Sequence, residues 1–401
     1  MIYAFDGYEL DLDQFELRRD GERVSVEPQV FDVICHLVEH RTRVVPKREL
    51  LESVWKTTFV TESALTSRIK GARQALGDDG QTQRMIRTAH GRGYRFVAPV
   101  EVFVEPDPGS PAPPGPTRDR VAVSQEIRFC RSADGVQVAY ACSGQGPPLV
   151  KAANWLSHLD YDWESPVWRH WLRELSRHHR LVRYDERGCG LSDWDIDHLS
   201  LDTKLADLEA VVEASGLDRF VLLGVSGGGP ASVAYAARHP ERVSRLVLYG
   251  AYVSGRMVRA RTVEEKREAD LMVDLAELGW GRDDPAFRHV FTVQFMPEGT
   301  PEQWAAFDEL QRRTATPANA ALIMAATADL DVADLAPQVQ APTLVIHARG
   351  DRRAPLAEGR RLATLIPDSR LAVLDSPNHI LLHDEPAWER FVDELNGFLG
   401  V

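Results

Sequence analysis

The chain has 401 residues, of which 44% are hydrophobic and 27% charged, so it can bury substantial cores and its length favours two or more domains. No stretch of about 18 consecutive apolar residues occurs, and MIYAFDGYELDLDQF lacks a basic segment followed by an apolar run. The expected setting is therefore the cytoplasm, with no membrane partner. The net charge of −13 is unevenly spread: residues 1 to 100 balance 15 basic against 15 acidic side chains, which leaves the whole excess of acid to residues 101 to 401.

Cys35, Cys130, Cys142 and Cys189 lack CxxC spacing, which argues against a disulfide framework or a structural zinc site. No ligand cluster suggests a metal or an organic cofactor. Short strand patterns come first, over residues 3 to 5, 8 to 11, 15 to 18 and 23 to 24. A helix follows with Pro28 suited to its first position and Val30, Phe31, Ile34, Leu37 and Val38 on one face. A second helix is expected over 47 to 55 and a third over about 62 to 76, stopped by Gly77. Leu65, Ile69, Ala72 and Leu76 form the buried stripe of that third helix. Ser67, Lys70 and Gln74 then face outward, with Arg68 and Arg73 on the flanks. A hairpin turning at His90-Gly91-Arg92-Gly93 closes the segment. Between residues 61 and 100, seven basic side chains face three acidic ones, a local charge that suits phosphate.

PKRELLESVW, ESALTSRIKGARQALGD and HGRGYRF together resemble the winged helix-turn-helix of OmpR/PhoB-type regulators, over all of residues 1 to 100. The resemblance implies that the third helix enters the major groove of double-stranded DNA and that the hairpin reaches the adjoining minor groove or backbone. On that basis Ser67, Arg68 and Lys70 are expected near bases, and Arg73 and Arg92 on phosphate or minor groove. It also implies a homodimer on repeated half-sites. Regulators of this class carry a phosphoacceptor receiver ahead of the DNA-binding domain, and this sequence shows none, so phosphorylation is not the expected signal.

EPDPGSPAPPGPTR cannot form a core and reads as a semi-extended linker over 101 to 123. From 124 to 401, a hairpin turned at Asp134-Gly135 precedes buried strand runs alternating with helical patterns: PPLVKAA, HRLVRYD, FVLLGVS, RLVLYG, TLVIHA and RLAVLD. That alternation predicts a mostly parallel sheet with helices on both faces. Gly224-Val225-Ser226-Gly227-Gly228 follows one strand directly, as a nucleophile at a cramped strand-to-helix turn requires. Asp351 and His379 follow later strands, in the order Ser, Asp, His.

These residues, with YDERGCGLSD, resemble the α/β-hydrolase superfamily from about residue 125 onward. The overall expectation is an α+β winged helix domain followed by an α/β-hydrolase fold with a helical lid at about 255 to 335. The resemblance implies Ser226 as nucleophile, His379 as base and Asp351 as its orienting acid, with Gly227 and Trp155 supplying the oxyanion N–H groups. In the loop before Trp155, Ala153-Asn154 replaces the His-Gly of many relatives. Asp375 and Asp185 compete distantly with Asp351, and His347 and His383 read as structural. Met272, Trp280, Phe287, Phe291, Phe295, Met296 and Trp304 could line an apolar pocket, although lid packing accounts for most of them, and a small hydrophobic acyl compound is the expected ligand. Three readings follow: a regulator that senses, and turns over, such a compound; a working esterase or lactonase with an accessory DNA-binding domain; and a silent domain serving as receptor or for dimerisation.

Overall fold

The computed structural model describes residues 2–11, 16–19, 22–24, 26–41, 43–55, 62–89, 92–98, 100–103, 125–282 and 284–401. The chain divides into two compact units, Met1–Arg118 and Asp119–Val401.

The first unit opens with β1 (Ile2–Phe5), β2 (Tyr8–Asp11), β3 (Glu16–Arg19) and β4 (Glu22–Val24), an antiparallel meander. Helix α1 (Pro28–Glu39) begins on its proline, where the missing N–H costs nothing. Next come β5 (Val45–Pro46), α2 (Lys47–Trp55), α3 (Glu62–Ala75), β6 (Ile86–Ala89), β7 (Gly93–Phe96) and β8 (Glu101–Phe103). Strand β8 pairs with β1, so residues 101–103, expected to begin the linker, belong to the sheet. The remainder of that linker, residues 104–123, lies outside the described residues, as do His90 and Gly91 at the hairpin tip.

Tyr3, Phe5, Leu10 and Leu17 of the sheet bury against Ile34, Leu37 and Val38 of α1 and Leu65, Ile69, Ala72 and Leu76 of the third helix. Burial of each large apolar side chain stabilises by about 1.5–3 kcal/mol. Gly93 is required where β7 crosses β5, since a Cβ there would lie 1.9 Å from the Val45 carbonyl oxygen.

The second unit continues with β9 (Glu126–Arg131), β10 (Gln137–Ser143), β11 (Pro148–Lys151), α4 (Leu159–Glu164), α5 (Arg169–His178), β12 (Arg180–Tyr184), α6 (Leu201–Ala214), β13 (Phe220–Val225), α7 (Gly228–Arg238) and β14 (Val243–Tyr249). An all-helical insertion follows: α8 (Arg256–Arg259), α9 (Val263–Gly279), α10 (Ala286–Phe295), α11 (Pro301–Thr314) and α12 (Pro317–Ala328). It occupies the expected place of the lid. The unit closes with β15 (Thr343–Ala348), α13 (Leu356–Leu365), β16 (Ser369–Leu374) and α14 (Pro386–Leu399).

These strands form one eight-stranded sheet in the order β16-β15-β14-β13-β11-β12-β10-β9, parallel from β16 to β12 and antiparallel at the β10 and β9 edge. Side chains of β13 alternate between its faces. Val221, Leu223 and Val225 meet α5, α14 and the lid, while Phe220 and Leu222 meet α6 and α7. Burial on both faces explains why the strands read as continuous apolar runs. In an open parallel sheet the carboxyl ends of the strands are where loops from several strands converge. Ser226, Gly250, Asp351 and His379 all lie just beyond such ends, after β13, β14, β15 and β16.

Candidate active site and nucleic-acid interface

Ser226 has φ of +50°, in the left-handed region that a serine rarely adopts. Its surroundings leave no room for ordinary neighbours. A Cβ on Gly224 would stand 2.6 Å from Ser232 Oγ, one on Gly228 would stand 2.7 Å from the Ala153 carbonyl oxygen, and one on Gly229 would stand 2.4 Å from Ala251 Cβ. The Ser226 N–H donates to the Tyr249 carbonyl at 2.9 Å, which fixes the elbow against the end of β14.

Gly250, the next residue, is where His379 and Asp351 come close, because a Cβ there would lie 3.0 Å from His379 Cε1 and 3.5 Å from Asp351 Oδ2. His379 Nδ1 bonds Asp351 Oδ2 at 2.6 Å, and both side chains are almost wholly buried. The other carboxylate oxygen accepts the N–H groups of Arg353 (2.8 Å) and Ala354 (2.9 Å). Burial alone would raise the Asp351 pKa. The His379 charge and hydrogen bond, with the Ala354 N–H, outweigh it and hold the carboxyl below its ordinary value. His379 Nε2 is buried and makes no hydrogen bond, to Ser226 or to any other group. The lid holds the ring in place: the His379 and Ile380 N–H groups donate to the Phe295 carbonyl at 2.8 and 3.1 Å, and the Phe295 ring meets the imidazole edge-on.

The competing residues are committed elsewhere. Asp375 is almost fully exposed and faces Arg349, while Asp185 accepts the N–H groups of Leu159 and Leu191. His347 bonds the Ala354 carbonyl, and His383 packs edge-on against His170.

Ser226, Gly227 and Trp155 line one cavity of about 50 Å³. Neither the Gly227 nor the Trp155 N–H is used in a hydrogen bond with a described residue. Asn154, at the position where the loop departs from the common pattern, is buried; it accepts from Lys151 and donates to the Trp155 carbonyl. The Trp155 backbone is thereby braced by a side chain.

Most of the apolar candidates for the lining pack within the helical insertion, as expected. Met272 and Phe295 reach the cavity, whereas Trp280, Phe291 and Met296 are packed into the core and Trp304 donates to the Met296 carbonyl. Phe287 fills the space beside Gly279, under the Arg282 guanidinium. In their place Tyr252, Arg256, Arg259 and Arg353 line the site, which the sequence reading missed. Their separation in the chain hid them; the one available signal was basic residues directly after β14 and after Asp351.

In the first unit, Ser67, Lys70 and Gln74 are exposed on one face of α3, and Arg92 is exposed where the β6–β7 hairpin turns. Two of the expected DNA contacts, Arg68 and Arg73, also bond within the domain. Arg68 bonds Glu27 (2.6 Å) and Gln29 (3.1 Å) at the start of α1, and Arg73 donates to the Ile86 carbonyl (2.8 Å) and Thr88 Oγ1 (2.9 Å). Both side chains tie α3 to its neighbours. His36, His40 and Glu49 are the group among the described residues whose ligand atoms, all within 4.8 Å of one another, could hold a metal ion. Glu49 there is already held by Arg43 and His36. Among the described residues no helix is long and apolar enough to cross a membrane.

Residues 161–386 match the family model for the alpha/beta hydrolase fold. The chain belongs to the α/β-hydrolase family. A 2-hydroxy-6-oxo-2,4-heptadienoate hydrolase of Pseudomonas putida is 30% identical over 278 residues, covering 64% of this chain and 87% of its own. An esterase structure from a Rhodococcus species is 27% identical with a TM-score of 0.56, covering 68% of this chain and 98% of its own. Residues 21–96 match the model of the C-terminal domain of transcriptional regulatory proteins. The transcriptional regulator HilA of Salmonella typhi is 35% identical over 121 residues, which is 30% of this chain but only 20% of that protein. The first unit is thus an OmpR/PhoB-type DNA-binding domain, followed in the same chain by an α/β-hydrolase domain.

Proposed function

We propose that this protein is a transcription regulator whose hydrolase domain binds a small acyl compound and hydrolyses it through Ser226, His379 and Asp351. The observation that carries the reading is the 2.6 Å bond between His379 Nδ1 and Asp351, which leaves Nε2 buried and unbonded among the described residues. Ser226 Oγ attacks the acyl carbon and passes its proton to His379 Nε2, while the Gly227 and Trp155 N–H groups hold the oxyanion. His379 returns that proton to the leaving alkoxide, releasing the alcohol. Water then repeats the sequence on the acyl-enzyme and frees the acid. Asp351 stays ionised throughout, orienting the imidazole and stabilising its cation.

The DNA-binding unit places the signal. Ser67 and Lys70 on α3 meet the major groove and Arg92 the neighbouring backbone or minor groove, with the protein a dimer on repeated half-sites. Arg68 and Arg73 position the helix from behind.

The test is p-nitrophenyl acyl ester hydrolysis by wild type and Ser226→Ala, with binding of DNA from the region upstream of its own gene measured on both. Turnover by the wild type, loss to at most about one part in 10⁴ in the variant, and DNA binding by both is the expected result. DNA binding without any hydrolysis would leave the domain a receptor. Hydrolysis without DNA binding would make it an esterase.

A further inference from the structure

The cavity at Ser226 is more cationic than a neutral acyl compound requires. Arg256 and Arg259 enter it from α8 and Arg353 from the loop after β15, beside the Tyr252 hydroxyl. None of the three guanidinium groups makes an ion pair with a described residue. Arg259 donates to the Ser254 and Arg353 carbonyls at 3.2 and 3.4 Å. Arg353 lies 5.2 Å from the Phe295 ring centroid, and among the described residues no acceptor meets its guanidinium or that of Arg256.

These three are partly buried, and the fully buried arginines of this domain are matched. Arg187 bonds Asp207 and Asp134, Arg183 bonds Gln125 and the Leu159 carbonyl, and Arg288 bonds the Trp280 and Asp308 carbonyls. Even partial burial without a partner costs a cation part of its hydration, and mutual repulsion adds to the cost. Burial first, then Arg256 and Arg259, push Arg353 well below its ordinary pKa, and burial and Arg259 push Arg256 down too. The anions that act on them give little relief: both Asp351 oxygens are occupied, and Glu268 acts on Arg256 from beyond ion-pair distance. Arg256, Arg259 and Met272 also border an outer cavity of about 590 Å³, where Arg261 and Arg352 join them and Glu265, Glu268 and Glu358 supply the opposite charge.

We infer that the site is built for an acyl compound that carries its own carboxylate, held by Arg353 with Arg256 and Arg259 while the ester carbonyl meets Ser226. This inference rests on the serine-hydrolase reading for the reaction, but the anion subsite stands independently of turnover. The inner cavity, about 50 Å³, is small for a ligand site. The favoured substrates are therefore short-chain monoesters of dicarboxylic acids, whose hydrolysis yields the alcohol and the free diacid.

Two arms test it. In the first, hydrolysis of monomethyl adipate and of methyl hexanoate is followed by pH-stat on wild type, Arg353→Gln and Arg256→Gln. The expected ratio of their kcat/KM values is roughly 10 to 100 in favour of the adipate for wild type, falling toward one in either variant. In the second, the thermal shift given by adipate at constant ionic strength is measured on Ser226→Ala with and without Arg353→Gln. A rise in Tm that Arg353→Gln removes supports the subsite even if no ester is hydrolysed, in which case the hydrolase reading alone falls. Turnover of both esters at a ratio near one, with no adipate shift, overturns the anion subsite and leaves the hydrolase reading standing. Arg353→Lys, which keeps the charge, is expected to restore part of the ratio if the variants are folded; a Gln variant that lost only stability would not be rescued in this way.

Discussion

At Ser226 the backbone conformation itself is a signature of use. A left-handed φ on a non-glycine residue costs about 1–2 kcal/mol, and here the cost is met by the packing of Gly224, Gly228 and Gly229 around the turn. His379 has its orientation set twice, by Asp351 at Nδ1 and by the Phe295 carbonyl at its backbone N–H. Asp351→Asn removes the first constraint and presents the wrong tautomer. Its kcat on an acyl ester is expected to fall by about 10⁴ with KM little changed, read from initial rates. The same variant has a pH signature. The folded Asp351 carboxyl is held below its ordinary pKa, so it contributes stability at pH values above the unfolded value, and that contribution is lost as pH falls through the depressed one. The stability gap between wild type and Asp351→Asn in urea unfolding should therefore be full at neutral pH and shrink below about pH 4. A gap independent of pH would mean that the carboxylate charge is not what Asp351 contributes.

At the scale of elements, α3 divides its basic residues between two tasks. Arg73 bridges α3 to β6, and Arg68 bridges it to the start of α1, whereas Lys70 projects outward with Ser67 and Gln74. Lys70→Ala is expected to weaken DNA binding across sequences and to reduce the slope of log affinity against log salt by about 1, with thermal stability unchanged. Arg73→Ala should instead lower the melting temperature, since it strands the Ile86 carbonyl. Equal effects of the two substitutions on the salt slope would return Arg73 to the DNA surface. This partition was not legible in the sequence, because helical periodicity tells which face a residue occupies but not whether a long side chain turns back to the domain. The elements themselves were legible. The apolar runs of the parallel sheet, Pro28 at the start of α1 and the crowded glycines around Ser226 each follow from a local steric or burial requirement. The cavity lining was not, because Tyr252, Arg256, Arg259 and Arg353 come from two separate crossings of the sheet edge, and hydrophobic pattern cannot say which lid aromatics turn inward. Strand β8 was hidden by its proximity to the proline-rich segment, and only pairing with β1 reveals it.

For the whole molecule, two domains with separate cores can act as one regulator only if a ligand at Ser226 binds more tightly to one DNA-binding state than to another. That coupling is reciprocal: whatever factor the ligand imposes on DNA affinity, DNA imposes on ligand affinity. The proposed catalytic site gives a direct way to measure it, because Ser226→Ala retains the cavity while removing the proposed nucleophile. With this variant, a saturating carboxylate ester should change the DNA dissociation constant by roughly 5- to 150-fold, and saturating DNA should change the ester's dissociation constant by the same factor. In wild type the same ester should shift DNA binding only transiently, with a recovery time that follows the measured rate of hydrolysis, since the products leave. If the shift in wild type persists after the ester is consumed, the hydrolysis product or the acyl-enzyme is the effective ligand, and turnover sets the signal instead of erasing it. If neither affinity responds to the other ligand, the two domains work independently, and the DNA-binding unit serves only to place the hydrolase on the chromosome.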